Sequence, residues 1–323
     1  MRFVAALMAA FVLWTPEGFG QSPLPPVPPE WTTWFVTGDM VYPGHEKNLE
    51  KTGRQMTELL NLNSGSRGML VGDLCNFLEP SDECYERLYA SPWGPLMPQL
   101  RAVPGNHDYG STYQVLPPFY RYVFNTDREG LGYYDFPAGN GWLGIGLNTE
   151  LSNWTDDPII QRRRKSQLDW FEKTLHENYN SKCIIVFMHR PPFSSGEHAG
   201  KKWTDDLFRK AFKYGVDLIV AAHEHFRAYI PPLAPNGSGK NGVVNWTQGI
   251  PILIYGTGGA ILFPRPKNLL YGDVITADKL GIGRIDLKPK FWRTEFLPES
   301  PDPGVTYPPI SGTCHDNPSG FVE

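Results

Sequence analysis

The stretch LIVAAHEH, residues 218–225, decides the fold. An apolar run ends there in two histidines, His223 and His225, with one residue between them. A short apolar run of this kind is typical of a buried strand. Working outward, further apolar runs end in polar residues in the same way: 35–37 before Asp39, 69–71 before Asp73, 102–104 before Asn106, and 184–188 before His189. Functional residues of open α/β sheets gather past the carboxyl ends of strands, so we expect these side chains to converge.

Amphipathic segments lie between the apolar runs and predict helices at 51–62, 165–176 and 204–214. Strands that alternate with helices indicate an α/β chain. The segment 132–147 is rich in glycine and aromatic residues and predicts antiparallel strands, and 252–255 and 282–296 predict further strands.

No linker interrupts the segment from Asp39 to His225 that carries these polar residues, so we predict one domain at residues 34–297. A Pro-rich lead-in, residues 21–33, precedes it. A tail rich in proline and glycine, residues 298–323, follows it, and we expect the tail to lie over the surface.

Residues 1–20 resemble an export signal, with Arg2, an apolar run at 3–14, and small residues at Gly18 and Gly20. The alternative is a membrane anchor, but the run is about a dozen residues long and a span needs roughly 20. We therefore predict a secreted or periplasmic protein that does not associate with a membrane.

The cysteines and sequons agree with export. Four cysteines suit an oxidising compartment. Cys75 with Cys84, and Cys183 with Cys314, is one of three possible connectivities, and four buried thiols are the alternative. Tripeptides that begin at Asn153, Asn236 and Asn245 are acceptors for glycosylation if the host glycosylates, so a glycoprotein is possible.

The charge balance argues against nucleic acid as a partner. Lys and Arg number 30 against 34 Asp and Glu, a net charge of −4, which provides no basic field for a phosphate backbone. A small substrate fits better. The sequence does not predict an oligomeric state.

The residues at the run ends favour a transition-metal site. They comprise carboxylates, an amide and imidazoles, a set that suits Zn, Fe or Mn and is poorly matched to Ca. The glycines at 38, 72 and 105 would let the backbone turn tightly beside them.

The order Asp39, Asp73, Asn106-His107-Asp108, His189 and His223-Glu224-His225 resembles the calcineurin-like metallophosphoesterases. Among these it is most similar to purple acid phosphatases and their small secreted relatives. The resemblance implies an α/β fold of two packed mixed β-sheets flanked by helices, a four-layer sandwich.

The resemblance also implies two metal ions, with Asp73 as the bridging carboxylate. One ion would take Asp39, Asp73 and His225. The other would take Asp73 together with the set Asn106, His189 and His223. Two such ions clamp the attacking and leaving oxygens of a displacement at phosphorus.

Three residues are implied catalytic groups. His107 and His198 would bind a phosphate oxygen or protonate the leaving group, and Asp108 would orient His107. Glu224 is expected to face away from the metals. The set His45, His176 and His315 is expected to be non-catalytic.

Two departures concern the first metal site. The broad family often has Asp-x-His where this chain has Asp39-Met40-Val41. Purple acid phosphatases have a tyrosine ligand where this chain has Asn76, so we expect no purple colour. Asn76 could supply a weak amide oxygen, and His45 could reach in from the loop after Asp39.

The predicted function is hydrolysis of phosphate monoesters by a secreted, metal-dependent phosphatase. A phosphodiesterase or nucleotide hydrolase that uses the same site is the first alternative. A binding protein on a catalytically decayed phosphatase fold is the second, favoured by the departures at the first site.

Overall fold

The computed structural model describes residues 30–77, 81–109, 118–123, 131–152, 157–198, 202–236 and 242–315. The predicted export signal, most of the lead-in and the end of the tail lie outside these ranges. Within them, no helix has both the length and the apolar character that a membrane crossing requires.

The predicted strands are present, and others join them. In chain order the strands are β1 Thr32–Thr37, β2 Arg67–Val71, β3 Leu100–Val103, β4 Tyr134–Gly139, β5 Trp142–Leu147, β6 Cys183–Met188, β7 Leu218–Ala221, β8 Arg227–Pro235, β9 Gly242–Val244, β10 Ile250–Tyr255, β11 Val274–Thr276, β12 Gly281–Lys288, β13 Phe291–Pro298 and β14 Ile310–Thr313.

The helices are α1 Glu46–Leu62, α2 Asp82–Ala90, α3 Asn106–Tyr109, α4 Phe119–Tyr122, α5 Pro158–Asn178 and α6 Lys202–Lys213, with 3₁₀ helices at Gly94–Gln99 and Thr149–Ser152. The three predicted helices are confirmed, but α1 and α5 begin earlier than expected. At α5 the signal was in the sequence: Asp157 accepts the N–H of Ile159 at 2.7 Å, and Pro158 occupies the first turn.

The strands form two mixed sheets. A six-stranded sheet has the order β14-β13-β12-β1-β2-β3, and an eight-stranded sheet has the path β11-β8-β10-β7-β6-β5-β4, with β9 paired to β8. The strands β1, β2 and β3 run parallel, as do β5, β6, β7 and β10. The carboxyl ends of these parallel strands carry the polar residues of the sequence motifs. Strands β4 and β5 pair antiparallel, as predicted.

Alternating side chains of the strands build the layers. Trp34 and Val36 of β1 pack against Phe187 and Val220 between the sheets. The outer face of the six-stranded sheet packs on a cluster that includes Met56 of α1. The outer face of the eight-stranded sheet packs on side chains of α5 and α6, among them Phe171, Leu207 and Phe208. The predicted four-layer α/β sandwich is confirmed.

The tail does not simply lie over the surface. Residues 310–313 form β14, which pairs with β13 at the edge of the six-stranded sheet. Disulfides join Cys75 to Cys84 and Cys183 to Cys314, so the second one fixes the tail to β6. Of the sequons, 245–247 lies wholly within the described residues, and there Asn245 Oδ1 accepts the N–H of Thr247.

Candidate functional site

The polar residues that follow the parallel strands meet where the two sheets come together. The loops that hold them are joined by backbone hydrogen bonds. The N–H of Asp39 donates to the carbonyl of Gly72 at 3.0 Å, and the N–H of Ala222 donates to the backbone carbonyl of His189 at 3.0 Å. The predicted convergence therefore occurs, and strands that are distant in sequence position one set of side chains.

Three of these residues have an unusual backbone conformation. The φ angles of Asp39, Asp73 and His223 are 59°, 51° and 69°, in the left-handed region that few residues other than glycine adopt. Such strain is held in place by the surrounding structure and concentrates at functional sites. Gly72 has a φ of 89°, and a Cβ there would lie 2.5 Å from His189 Nδ1, so this position requires glycine.

One group of buried ligand atoms comprises Asp39, Asp73 and His225, all within 4.8 Å of one another. His225 Nδ1 donates to the carbonyl of Ile261 at 2.7 Å. This bond leaves Nε2 facing Asp39 Oδ1 at 3.5 Å. An imidazole nitrogen next to a buried carboxylate oxygen is an arrangement that a cation stabilises, whether a metal ion or a proton on the ring.

A second group comprises Asp73, His189 and His223, again within 4.8 Å. His189 Nδ1 donates to the carbonyl of Val71 at 2.9 Å. Its Nε2 lies 3.1 Å from Asn106 Oδ1 and 3.4 Å from Asp73 Oδ2. Three potential metal-ligand atoms thus converge on one point, and Asp73 belongs to both groups.

Unpaired buried oxygens support the fit of these residues to metal ions. Asp39 Oδ1 and Asp73 Oδ2 form no hydrogen bond with any described residue. Buried carboxylate oxygens without partners cost free energy unless a cation completes the site. Imidazole and carboxylate donors of this kind fit Zn²⁺, Mn²⁺ or Fe.

The charges within the cluster show the same need for a cation. Burial alone favours neutral His189, but the negative charge of Asp73, whose Oδ2 lies 3.4 Å from Nε2, raises the pKa of His189 to about 9. Burial opposes ionisation of Asp73, yet His189 and His107 bring its pKa below the ordinary value. A proton on His189 therefore occupies the position where a cation is favoured.

Asn76 lies at this cluster and is also unsatisfied. Its backbone N–H donates to Val41 at 2.8 Å, but neither polar atom of its buried side chain has a hydrogen-bond partner among the described residues. Asn76 and Asp73 line the same cavity. The amide is thus available to a ligand in this cavity.

Arg190 was not predicted as a site residue. Its Nε donates to Glu150 Oε1 at 2.9 Å, and its Nη1 lies 2.6 Å from His223 Nε2. Both Arg190 and Glu150 are buried. Burial and the charge of Arg190 bring the pKa of His223 well below its ordinary value. The only signal in the sequence was the position of Arg190 directly after His189.

His107 lies beside the cluster, but the expected role of Asp108 is wrong. His107 Nδ1 donates to the carbonyl of Phe77 at 2.8 Å. The buried carboxylate of Asp108 instead accepts the N–H groups of Gly105 and Cys75 and the hydroxyl of Tyr85. Burial and the charge of Asp73 raise the pKa of Asp108 to about 6. Asp108 therefore fixes the loops that carry Asp73 and Asn106.

His198 is held by Glu224. Glu224 Oε1 accepts the backbone N–H of His198 at 3.0 Å, and Oε2 lies 3.4 Å from His198 Nδ1. The carboxylate is almost fully buried, while His198 is about half exposed. Gly196 makes this approach possible, because a Cβ there would lie 2.3 Å from Glu224 Oε2. As expected, Glu224 faces away from the predicted ligand cluster.

The remaining histidines lie elsewhere. His45 precedes α1, where Asn48 Nδ2 is 3.4 Å from its Nδ1, and it lines a different cavity. His176 packs against tyrosine rings, and His315 lies beside Asp217. His45 therefore does not replace the missing Asp-x-His ligand.

A cavity of about 460 Å³ opens onto the cluster. Asp73, Asn106 and the imidazoles of His107, His198, His223 and His225 line it. Its volume suits a small phosphate ester.

Comparisons with known proteins agree with this geometry. A curated relative, the uncharacterized protein Rv2577 of Mycobacterium tuberculosis, is 25% identical in an alignment 268 residues long that covers 74% of this chain and 42% of the relative. The chain thus spans less than half the length of this relative.

Two solved structures share the fold. Purple acid phosphatase PPD1 from yellow lupin has a TM-score of 0.66 at 18% identity, covering 88% of this chain and 54% of that one. GAP50, an anchor in the inner membrane complex of Plasmodium, has a TM-score of 0.65 at 13% identity, covering 90% and 93%.

The family model for calcineurin-like phosphoesterases matches residues 32–227, which include all the residues at the strand ends. That match extends over more than half of the chain. The chain belongs to the calcineurin-like phosphoesterase family.

Proposed function

We propose that this chain is a secreted, metal-dependent phosphatase that hydrolyses phosphate monoesters. The supporting observation is the pair of buried ligand groups that share Asp73, in which Asp39 Oδ1 and Asp73 Oδ2 have no hydrogen-bond partner among the described residues. Asp39, Asp73 and His225 would hold one metal ion, with Asn76 nearby. The second would be held by Asp73 and the set Asn106, His189 and His223.

Two bound ions would supply Lewis acidity, which acidifies a water molecule and offsets the charge of the phosphate. The chain's own residues do the rest. The backbone N–H of His107 donates to Asp73 Oδ1 at 2.8 Å, so His107 and the shared carboxylate are positioned together. Because His107 Nδ1 donates to the carbonyl of Phe77, its Nε2 is the nitrogen left to donate to a phosphate oxygen, which it can do as the imidazolium.

His198 is the group we assign to proton donation to the leaving oxygen. It lines the same cavity, and its exposed ring can exchange protons with solvent. Export is supported by the two disulfides, which persist in oxidising compartments.

The catalytically decayed binding protein is the second candidate. The contact between Arg190 and His223, and the place of Asn76 where a tyrosine ligand is expected, favour it. Hydrolysis separates the two candidates directly.

The test is hydrolysis of phenyl phosphate by purified protein with added Mn²⁺, Zn²⁺, Fe²⁺ or Mg²⁺. We expect metal-dependent turnover that Asn106→Ala lowers by at least about 100-fold, because the proposed second metal ion loses its amide ligand. Asn61→Ala, at an exposed position of α1, is the matched control and should keep full activity.

Diphenyl phosphate distinguishes monoester from diester hydrolysis. A preference for the diester would overturn the monoesterase proposal. No turnover of either ester by folded protein with any metal would favour the decayed binding protein.

A further inference from the structure

A second cavity of about 640 Å³ adjoins the one over the cluster. The two share His198 and Phe263, so the proposed proton donor lies between them. Phe263 stacks on His225, with ring centroids 4.1 Å apart, and therefore joins this wall rigidly to the cluster. A group that leaves phosphorus past His198 would enter this second cavity.

The walls of the second cavity are largely apolar. Phe226, Phe263 and Leu270 line it, and the Leu270 side chain is 62% exposed although it is aliphatic. The N–H of Leu270 donates to Ser195 Oγ at 2.7 Å, which fixes that wall to the loop of His198. Pockets of this volume and character bind molecules about as large as a substituted aromatic ring or larger.

Two cations line the cavity. Arg265 and Lys267 are exposed, and neither forms an ion pair with a described residue. Of the carboxylates in the lining, Glu224 is turned toward His198, which leaves Glu197 as the exposed one. The positive charges therefore outnumber the exposed negative charge.

We propose that this cavity binds the leaving group of the substrate, and that the preferred substrate is a phosphate ester whose apolar leaving group ends in a second anionic group. The inference rests on the proposed function. Arg265 and Lys267 would meet the second anion, while Phe226, Phe263 and Leu270 would contact the apolar part. A carboxylate or a second phosphate would both fit this description.

The test is calorimetric binding of two phosphonates that cannot be hydrolysed, phenylphosphonate and 4-carboxyphenylphosphonate, to the full chain with Mn²⁺. We expect the carboxylated compound to bind roughly three- to tenfold more tightly, the scale of two exposed ion pairs. The double variant Arg265→Gln/Lys267→Gln should bind both equally. The charge-preserving Arg265→Lys/Lys267→Arg should keep the preference.

A salt series adds a second readout, since the preference should shrink between about 50 mM and about 500 mM salt. Equal binding by the wild type, or a preference that survives in the Gln variant, overturns the inference even if phenyl phosphate is hydrolysed. A preference without hydrolysis supports the cavity and overturns only the proposed function. Failure of both phosphonates to bind contradicts both.

Discussion

The buried carboxylate of Glu224 accepts the backbone N–H of His198 at 3.0 Å, and its other oxygen lies 3.4 Å from Nδ1 of the same histidine. Glu224 stands between His223 and His225 in sequence, so one short loop presents predicted ligands on one side and holds the proposed proton donor on the other. Glu224 is thus a positioning residue for His198.

Replacement of Glu224 should impair proton donation selectively. We expect Glu224→Ala to lower kcat for an alkyl phosphate by about 10- to 100-fold, part of what a general acid contributes. For 4-nitrophenyl phosphate, whose leaving group needs no proton, the loss should be less than about threefold. Glu224→Gln keeps an acceptor for the N–H of His198 and should recover part of the activity.

The readout is the ratio of the two rates, with metal content measured in parallel. A merely structural role of Glu224 would lower both rates equally. Equal losses at unchanged metal content would therefore contradict the assignment.

The contact between Arg190 and His223 should weaken metal binding at the second group. A guanidinium only donates, so His223 Nε2 accepts at 2.6 Å. If Nε2 is the metal ligand, Arg190 occupies its lone pair. If Nδ1 is the ligand, Nε2 must carry a proton that points at the guanidinium. Either way Arg190 competes with the metal.

We expect Glu150→Gln/Arg190→Gln to bind the second metal ion about tenfold more tightly, at the low end of the effects seen for residues behind metal ligands. Both charges are removed together because a lone buried carboxylate would destabilise the fold. Calorimetric metal titration measures the change, and adding His223→Asn should abolish the gain. Weaker binding by the double variant would show that Arg190 supports the metal instead.

The two disulfides should differ in their contribution to stability. Cys75 and Cys84 are 9 residues apart, whereas Cys183 and Cys314 are 131 apart. Loop entropy predicts that removing the long-range bridge costs about 5 kcal/mol and the short one about half of that. Urea unfolding of Cys183→Ala/Cys314→Ala and Cys75→Ala/Cys84→Ala compares them. A larger loss from the short bridge would contradict this ranking.

His315 should stabilise the tail at low pH. Burial by itself lowers the pKa of His315, but the hydrogen bond and charge of Asp217 outweigh burial and raise the pKa above its ordinary value of 6.5. A raised folded-state pKa contributes stability that is complete below about 6.5 and is lost as pH rises through the folded-state pKa.

Measured by urea unfolding, His315→Gln should therefore cost about 1.5–3 kcal/mol at pH 5, the scale of a hydrogen bond to a charged group, and clearly less at pH 9. Asp217 also accepts the N–H of Ile184 at 2.7 Å, so the strand contact remains in the variant. A cost that is independent of pH would show that the imidazolium is not involved.

The residues at the strand ends were predictable because the length of an apolar run and the polar residue that ends it are local signals. The runs before Asp39, Asp73 and His189 each proved to be a parallel strand. What the sequence did not show are contacts across long separations. Strand β1 pairs with β12 through partners such as Thr32 and Leu287, and no local feature of the sequence predicts that register.

The same limit explains the errors at the site. Asp108 is adjacent to His107 in sequence, yet in a helical turn its side chain points to the loops of Gly105 and Cys75. Arg190 and Glu150 were missed because their partners lie 33 and 40 residues away. Glu224 was predicted to face away from the metals, but the sequence did not predict its contact with His198. That contact depends on the close approach of Glu224 to Gly196, which only the fold shows.

The most direct test of the central claim, a site for two metal ions that share Asp73, is the number of ions bound per chain. Purified protein would be equilibrated with Mn²⁺ or Zn²⁺, and the bound metal measured by mass spectrometry. We expect two ions in the wild type, one in His225→Asn, and at most one in Asp73→Asn, with hydrolysis of phenyl phosphate lost in parallel. A folded wild-type chain that binds no ion, or binds two that Asp73→Asn leaves in place, would contradict the account.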